Sequence, residues 1–162
     1  MPSLYILRHG KAEWTSSDGD HARLLQARGQ DEARTVGSLL AQKDEAPEIV
    51  YSSTAERARQ TAELAKEEGD WEAQICLEDA LYEASVSLVI DIVRGTEACH
   101  QRVLVCGHQP TCGILIGELT RSAAPDFPTA ALARVDFEFE DWDRLCVGSG
   151  KLEWIVASRG RA

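Results

Sequence analysis

Two histidines, each directly after a short apolar run and next to a glycine, constrain the fold of this chain more than any other feature. Residues 4–7 are apolar and lead to His9, and residues 103–106 are apolar and lead to His108. A short apolar run that ends in polar and glycine residues is typical of a buried strand followed by a loop. If the two strands belong to one parallel sheet, both histidines lie at the edge where ligand sites of open α/β sheets form. The sequence therefore predicts a site in which two imidazoles meet.

The remaining hydrophobic pattern predicts an α/β fold in which helices cover both faces of a mostly parallel sheet. Strands are predicted at residues 3–7, 48–51, 74–77, 102–106, 131–140 and 152–158, and helices at residues 27–42, 55–67, 87–94 and 110–119. For residues 87–94 a strand is the alternative, and residues 52–54 supply N-cap candidates for the second helix. Because 162 residues suit one domain, we expect a three-layer α/β/α sandwich over residues 1–162.

The charge balance excludes several kinds of partner. Lysine and arginine total 17 against 27 aspartate and glutamate residues, which gives a net charge of −10. A nucleic-acid surface needs basic patches that displace counterions, so nucleic acid is excluded as a partner. An acidic body also repels an anionic membrane surface. Any phosphate site in this protein must therefore be a local positive pocket in a negative body.

The cysteines and the amino terminus predict a cytoplasmic protein. The five cysteines are odd in number and none has CxxC spacing, which indicates reduced thiols rather than a disulfide framework. No signal peptide is visible at the start of the chain, and no apolar run reaches the length of a membrane span. Cys106 and Cys112 flank His108, but no fourth ligand is evident, so no metal is expected. Glycine-rich nucleotide loops are absent from the sequence, so no cofactor is expected either.

Two arginines can supply the positive charge of a phosphate pocket. Arg57 lies in the first turn of the second predicted helix, where the helix dipole disfavours a cation and a bound anion would explain its presence. The alternative for Arg57 is a solvated surface arginine, which is our interpretation of Arg59. Arg8 has a planar fork that fits phosphate oxygens, and Gly10 allows the backbone to approach a ligand closely.

The two leading histidines have complementary chemistry. An imidazole with an ordinary pKa of about 6.5 is largely neutral at neutral pH, so His9 can attack phosphorus as a nucleophile. His108 can donate to a phosphoryl oxygen and stabilise charge in the transition state. Trp14 lies in the loop after His9, where it can wall the pocket. His21 and His100 lack comparable flanking structure and are interpreted as surface residues.

Four short motifs carry a resemblance to a known family. In chain order they are Arg8-His9-Gly10, Ser53-x-x-x-Arg57-Ala58-x-Gln60-Thr61, Leu81-Tyr82-Glu83-Ala84 and Gly107-His108-x-Pro110. Over residues 4–120 the chain resembles the histidine phosphatase superfamily, which has the phosphoglycerate mutase-like fold. The short length, the first motif near the amino terminus and the third motif most resemble its small branch, the SixA-type phosphohistidine phosphatases.

The resemblance implies a role for each matched residue. His9 would be the nucleophile that becomes phosphorylated, and Arg8, Arg57 and His108 would hold the phosphoryl group. Arg23 matches a semi-variable arginine of the small branch, and we place it among the substrate-binding residues.

The chain departs from the family pattern in the loop that carries this arginine. Leu24 stands where a proline is common, and Gln26 stands where a helix-capping threonine is common. Both departures affect the loop and not the predicted phosphate pocket.

Glu83 falls where larger members of the family carry a proton donor, and two interpretations of it are open. As a working acid, Glu83 would protonate the basic alkoxide that leaves from a phosphoester. As a surface carboxylate in a loop, it would take no part in the reaction. An imidazole leaving group is far less basic than an alkoxide, so a phosphohistidine can be cleaved with little help from an acid.

The sequence thus predicts a phosphatase that works through a phosphohistidine intermediate without a metal or cofactor. The expected substrate is a phosphohistidine on a partner protein of the histidine phosphotransfer type. The first alternative is a phosphatase of small phosphorylated molecules with the same fold, and a mutase is less favoured because the chain has little spare length for a lid. A non-catalytic phosphate-binding module is the remaining alternative, and it would not need His9 as a nucleophile.

Overall fold

Six strands and four helices make up the computed structural model of the protein, which describes residues 1–157. The strands are β1 (Ser3–Arg8), β2 (Ile49–Ser53), β3 (Gln74–Glu78), β4 (Arg102–Gly107), β5 (Leu132–Phe137) and β6 (Gly150–Val156). The helices are α1 (Ala27–Gln42), α2 (Glu56–Gly69), α3 (Val86–Arg94) and α4 (Thr111–Thr120). Short 3₁₀ turns lie at Asp20–Ala22, Asp79–Leu81 and Trp142–Arg144. The predicted α/β order of elements is confirmed.

All six strands belong to one sheet, in the order β3-β2-β4-β1-β5-β6. The first four strands of that order run parallel to their neighbours. β5 runs antiparallel to β1, and β6 runs antiparallel to β5. The predicted mostly parallel sheet is therefore confirmed, and the carboxyl ends of β2, β4 and β1 lie side by side at one edge.

Each face of the sheet has its own hydrophobic core. Successive side chains of a strand point to opposite faces, so β1 contributes Leu4 and Ile6 to one cluster and Tyr5 and Leu7 to the other. Helices α3 and α4 complete the first cluster, and α1 and α2 complete the second. These three layers are the predicted α/β/α sandwich.

Helices α1 and α2 approach each other very closely. A Cβ atom built on Gly37 of α1 would lie 2.0 Å from the carbonyl oxygen of Ala65 in α2. Only a residue without a side chain fits against a backbone at that distance. This contact fixes α2 against α1, and α2 carries Arg57 near its amino terminus.

The structure corrects the predicted start of α2. Residues 52 and 53, expected among the N-caps, belong to β2 and are buried, because parallel pairing with β3 on one side extends the strand through Ser53. The N-cap of α2 is Ala55, which has no capping side chain. The Ser53 hydroxyl oxygen nevertheless accepts the backbone N–H of Ala55 at 3.1 Å, so it satisfies one donor near the helix start.

Other boundaries differ less from the prediction. Residues 87–94 are helical rather than extended, since α3 begins behind Ser85, whose side chain accepts the Leu88 N–H. The fifth strand ends at Phe137 instead of residue 140, and the last begins at Gly150. Ser158, the predicted end of that last strand, lies outside the described residues.

Two further expectations concern the chain as a whole. All five cysteines are free thiols, and Cys106 and Cys112 are buried. Within residues 1–157, no helix combines the length and the hydropathy that crossing a bilayer requires.

Candidate active site

Three neighbouring strands deliver the central side chains of the site to one edge of the sheet. His9 follows β1, His108 follows β4, and Ser53 ends β2. Because β4 lies between β1 and β2, the two histidines become neighbours although 99 positions separate them in the sequence. Their ring centroids are 5.2 Å apart.

A cleft of about 510 Å³ opens at this edge. It is lined by Arg8, His9, Asp20, Arg23, Arg57, Tyr82, Glu83, Ala84, His108, Gln109, Pro110 and Thr111. The cleft thus brings together six residues that the sequence singled out, namely Arg8, His9, Arg23, Arg57, Glu83 and His108. It also brings in Asp20 and Tyr82, to which the sequence analysis gave no role.

The His9 imidazole is held as a neutral ring with one free nitrogen. Its Nδ1 lies 2.7 Å from the carbonyl oxygen of Gly10, and since a carbonyl only accepts, Nδ1 carries the proton. Burial is the main cause that lowers the pKa of His9 to about 3; the Gly10 hydrogen bond opposes it, and positive charge on His108, Arg57 and Arg8 acts in the same direction as burial. Nε2 therefore keeps a lone pair at neutral pH, which is the condition for attack on phosphorus.

His108 is fixed from two sides. Its Nε2 lies 2.8 Å from the hydroxyl oxygen of Ser53, and its ring meets the ring of Tyr82 edge-on with centroids 5.7 Å apart. Burial lowers the pKa of His108 to about 4, and the positive charge of Arg57 acts in the same direction. His108 is therefore a second neutral ring beside His9.

Arg8 and Arg57 bring buried positive charge to the cleft. The Nε atom of each guanidinium is buried and makes no hydrogen bond to any residue of the described chain. Burial also lowers the pKa of Arg8. Buried charged donors without acceptors are costly, and a tetrahedral oxyanion between the two guanidinium groups would supply the acceptors.

Asp20 occupies the outer side of the Arg57 guanidinium. Nη1 of Arg57 donates to the backbone oxygen of Asp20 at 2.9 Å, and Nη2 donates to Asp20 Oδ2 at 3.2 Å. Asp20 Oδ2 also accepts a hydrogen bond from the Tyr82 hydroxyl at 2.5 Å, and Oδ1 accepts one from Nη1 of Arg23 at 2.9 Å. These contacts, with the Tyr82 hydrogen bond as the largest cause, hold the pKa of Asp20 well below its usual range.

Glu83 stands at the mouth of the cleft in an unusual backbone conformation. Its φ is +60°, in the left-handed region that residues other than glycine adopt at some energetic cost. The residue is exposed and lines the cleft. The structure thus places Glu83 at the exposed rim of the cleft.

Arg23 and Gln26 use their side chains to hold the loop before α1. Arg23 lines the cleft, but its Nε donates to the carbonyl oxygen of Glu13 at 2.6 Å and its Nη1 donates to Asp20. Gln26 is the N-cap of α1 without a capping hydrogen bond, and its side chain donates instead to the Ala12 carbonyl.

Two sequence expectations differ from the structure. Gly10 does not line the cleft; a Cβ atom at this position would lie 2.6 Å from the Gly29 carbonyl oxygen, so helix packing requires the glycine. Trp14 does not wall the cleft either, because it is 80% exposed and stacks under the Lys11 ammonium.

The structure also shows where Arg59 and His21, both predicted to be surface residues, lie. Arg59 forms ion pairs with Glu56 and Glu63 on the outer face of α2. His21 is exposed as expected, but its ring packs edge-on against Tyr82 with centroids 4.8 Å apart. It therefore contacts Tyr82, a residue that lines the cleft.

The described residues bring together one group of possible metal ligands. Glu97, Cys99 and His100 have ligand atoms within 4.8 Å of one another. They lie on the loop before β4, at the opposite end of that strand from His108. The cleft itself obtains its positive charge from arginines.

The strand order and the histidine-arginine cleft define an α/β protein with the phosphoglycerate mutase-like fold. Residues 4–91 match the family model of the histidine phosphatase superfamily (branch 1), and the chain belongs to that superfamily. The structure is of the SixA type: it superimposes with a TM-score of 0.84 on the protein histidine phosphatase SixA complexed with tungstate. That match has 28% sequence identity and covers 96% of both chains.

Two protein sequences show how far the similarity extends along the chain. An uncharacterized protein of Mycobacterium tuberculosis is 33% identical over 137 residues, which cover 78% of this chain and 84% of that protein. Phosphoglycerate mutase 1 of Saccharomyces cerevisiae is 41% identical over 73 residues. That second match covers 43% of this chain but 30% of the mutase, so it spans less than a third of the larger protein.

Proposed function

We propose that the protein is a phosphatase that forms a covalent phosphohistidine on His9, without a metal or cofactor. The observation that carries this proposal is the neutral His9 ring beside the buried, unpartnered Nε atoms of Arg8 and Arg57. A phosphoryl group bound there would accept hydrogen bonds from both arginines. Nε2 of His9 would carry no proton, so its lone pair would be free to attack phosphorus. The arginines would supply the charge stabilisation that a metal ion supplies in other phosphatases.

The reaction proceeds in two displacements. The Nε2 lone pair of His9 attacks phosphorus, and the bond from phosphorus to the leaving group breaks with its electron pair on the leaving group. Nδ1 keeps its proton and its bond to the Gly10 carbonyl, so phospho-His9 is an imidazolium with a good leaving ring. Water then attacks phosphorus, phosphate departs, and His9 returns as the neutral ring.

The substrate that we favour is a phosphohistidine on a partner protein of the histidine phosphotransfer type. The similarity to the protein histidine phosphatase SixA over nearly the whole chain supports this substrate class. An imidazole leaving group also needs little protonation, which suits a cleft whose buried histidines are both neutral. The five free thiols support a reducing, cytoplasmic location for such a protein.

One observation favours a second candidate function. Glu83 lines the mouth of the cleft with its backbone in the left-handed region. Strained conformations of this kind cluster at functional sites. If its carboxyl group protonates an alkoxide, the protein is a phosphatase of small phosphoesters. A phosphate-binding module without catalysis is less well supported, because binding alone does not require a neutral His9.

The test compares a phosphohistidine peptide with phosphoesters on four proteins. We expect the wild type to hydrolyse the peptide and His9→Gln to lose about 10³-fold or more in kcat/KM. The matched control His100→Gln, on the distant loop, should keep full activity, and a chelator should leave the rate unchanged. If Glu83 protonates the leaving group of phosphoesters, Glu83→Gln should lose activity on them; otherwise it should keep that activity. Unchanged hydrolysis by His9→Gln would contradict the proposal.

A further inference from the structure

Asp20 lies at the exposed mouth of the cleft. His9 is 7% exposed at the floor, whereas the Asp20 side chain is 53% exposed at the mouth. In phosphoryl transfer the attacking and leaving atoms lie roughly in line on opposite sides of phosphorus. With Nε2 of His9 below a phosphoryl group, the leaving group therefore points towards the open mouth of the cleft, which Asp20 lines.

The Asp20 carboxylate is a fixed anion that can accept but not donate. Its charged neighbours are Arg23 and Arg57, and it also accepts the Tyr82 hydroxyl. Because these contacts hold its pKa far below neutrality, it has no proton to give to an alkoxide. A carboxylate has about four lone-pair sites, and within the described chain Oδ1 accepts a single hydrogen bond. One acceptor position is thus available to a substrate donor.

An aromatic wall stands beside this acceptor. The Tyr82 ring meets the rings of His21 and His108 edge-on, at centroid distances of 4.8 and 5.7 Å. A flat ring with an N–H group matches an aromatic wall next to a carboxylate, since the ring can pack on Tyr82 while the N–H bonds to Asp20.

The geometry points to Asp20 as the residue that selects phosphohistidine over phosphoesters, by accepting a hydrogen bond from the protonated distal nitrogen of the leaving imidazole. This inference rests on the proposed function. It assigns Tyr82 as the wall that orients the ring.

The chemistry of this selection balances without an added acid. When the distal nitrogen is protonated, the phosphorus–nitrogen bond breaks with its electron pair on the ring nitrogen, and the ring leaves as neutral imidazole. The distal proton stays on the ring throughout. Asp20 favours this protonated form through a charge-assisted hydrogen bond. A phosphoester has no such donor, and its leaving oxygen gains negative charge next to the carboxylate, which repels it.

The experiment measures kcat/KM for Asp20→Asn on a phosphohistidine peptide and on para-nitrophenyl phosphate. Asparagine keeps the shape of the side chain but removes its charge. We expect a loss of about tenfold or more on the peptide, since charge-assisted hydrogen bonds are about twice as strong as neutral ones. On the ester we expect a smaller loss, because Asp20 also holds Arg57, so the ratio of the peptide value to the ester value should fall. Asp31→Asn, an exposed position on α1 that does not line the cleft, is the matched control and should leave both values unchanged.

Each other outcome overturns a defined claim. An equal loss on both substrates would mean that Asp20 acts only by holding Arg57, and it would overturn the selection. An unchanged rate on the peptide would do the same. In both cases, hydrolysis by the wild type and its loss in His9→Gln would leave the proposed function standing. If the wild type hydrolyses neither substrate, the proposed function fails and the selection by Asp20 fails with it.

Discussion

Lowering the pH from about 8 to about 5 should destabilise the folded protein through the two histidines of the cleft. Folding lowers the pKa of His9 from 6.5 to about 3 and that of His108 from 6.5 to about 4, with burial as the first cause in each. Below pH 6.5 the two histidines therefore bind protons in the unfolded chain that they do not bind in the folded chain. The contribution of the two neutral histidines to the free energy of unfolding is fully present above pH 6.5. It falls as the pH drops towards their folded pKa values.

The size of the loss follows from the linkage between protonation and folding. Each pH unit below 6.5 costs about 1.4 kcal/mol per histidine while the folded ring stays neutral. At about pH 5 the difference is about 1.5 units, so His9 and His108 cost about 2 kcal/mol each and about 4 kcal/mol together. Asp20 adds nothing in this window, because its folded pKa lies below its ordinary value of 3.8 and it stays charged.

Urea unfolding at the two pH values measures this loss. The wild type should lose about 4 kcal/mol of unfolding free energy, whereas His9→Gln and His108→Gln should each lose about 2 kcal/mol because each keeps one titrating ring. If His9→Gln loses as much stability as the wild type over this range, the buried neutral state of His9 is wrong.

Three substitutions test other parts of the structure. Arg57→Lys should reduce kcat/KM about 100-fold, because a lysine cannot replace the Nε donor; steady-state kinetics with an unfolding control checks this. Ser53→Ala removes the hydrogen bond that orients His108 and should lower kcat/KM about tenfold in the same assay. Gly37→Ala would place a Cβ atom 2.0 Å from the Ala65 carbonyl oxygen and should cost about 3 kcal/mol in urea unfolding. A neutral result at any of these positions would contradict the contact on which it depends.

The centre of the sheet could be predicted because β1 and β4 are buried on both faces. Residues 4–7 and 103–106 are continuous apolar runs, and such runs ending in glycine and polar residues have few other structures open to them. The bounds of α1 also follow from its apolar spacing. Ser53 could not be placed in β2 from local sequence, because a polar residue extends a strand only when a neighbouring strand pairs with it.

The pairing of His9 with His108 could be predicted for a related reason. Both follow parallel strands, and parallel strands end at one edge whatever their order. Asp20 could not be found in this way. It lies in a polar loop without periodicity, and its contacts with Arg57 and Tyr82 cross 37 and 62 positions of sequence. Glu83 was suspected, but its left-handed backbone is visible only in the structure.

A rapid-quench single-turnover experiment with a radiolabelled phosphoryl donor tests the central claim most directly. We predict that label accumulates transiently on the protein, that it is stable in alkali and labile in acid as a phosphoramidate is, and that peptide mapping places it on His9. Product that forms at full rate while His9 carries no label would contradict the account.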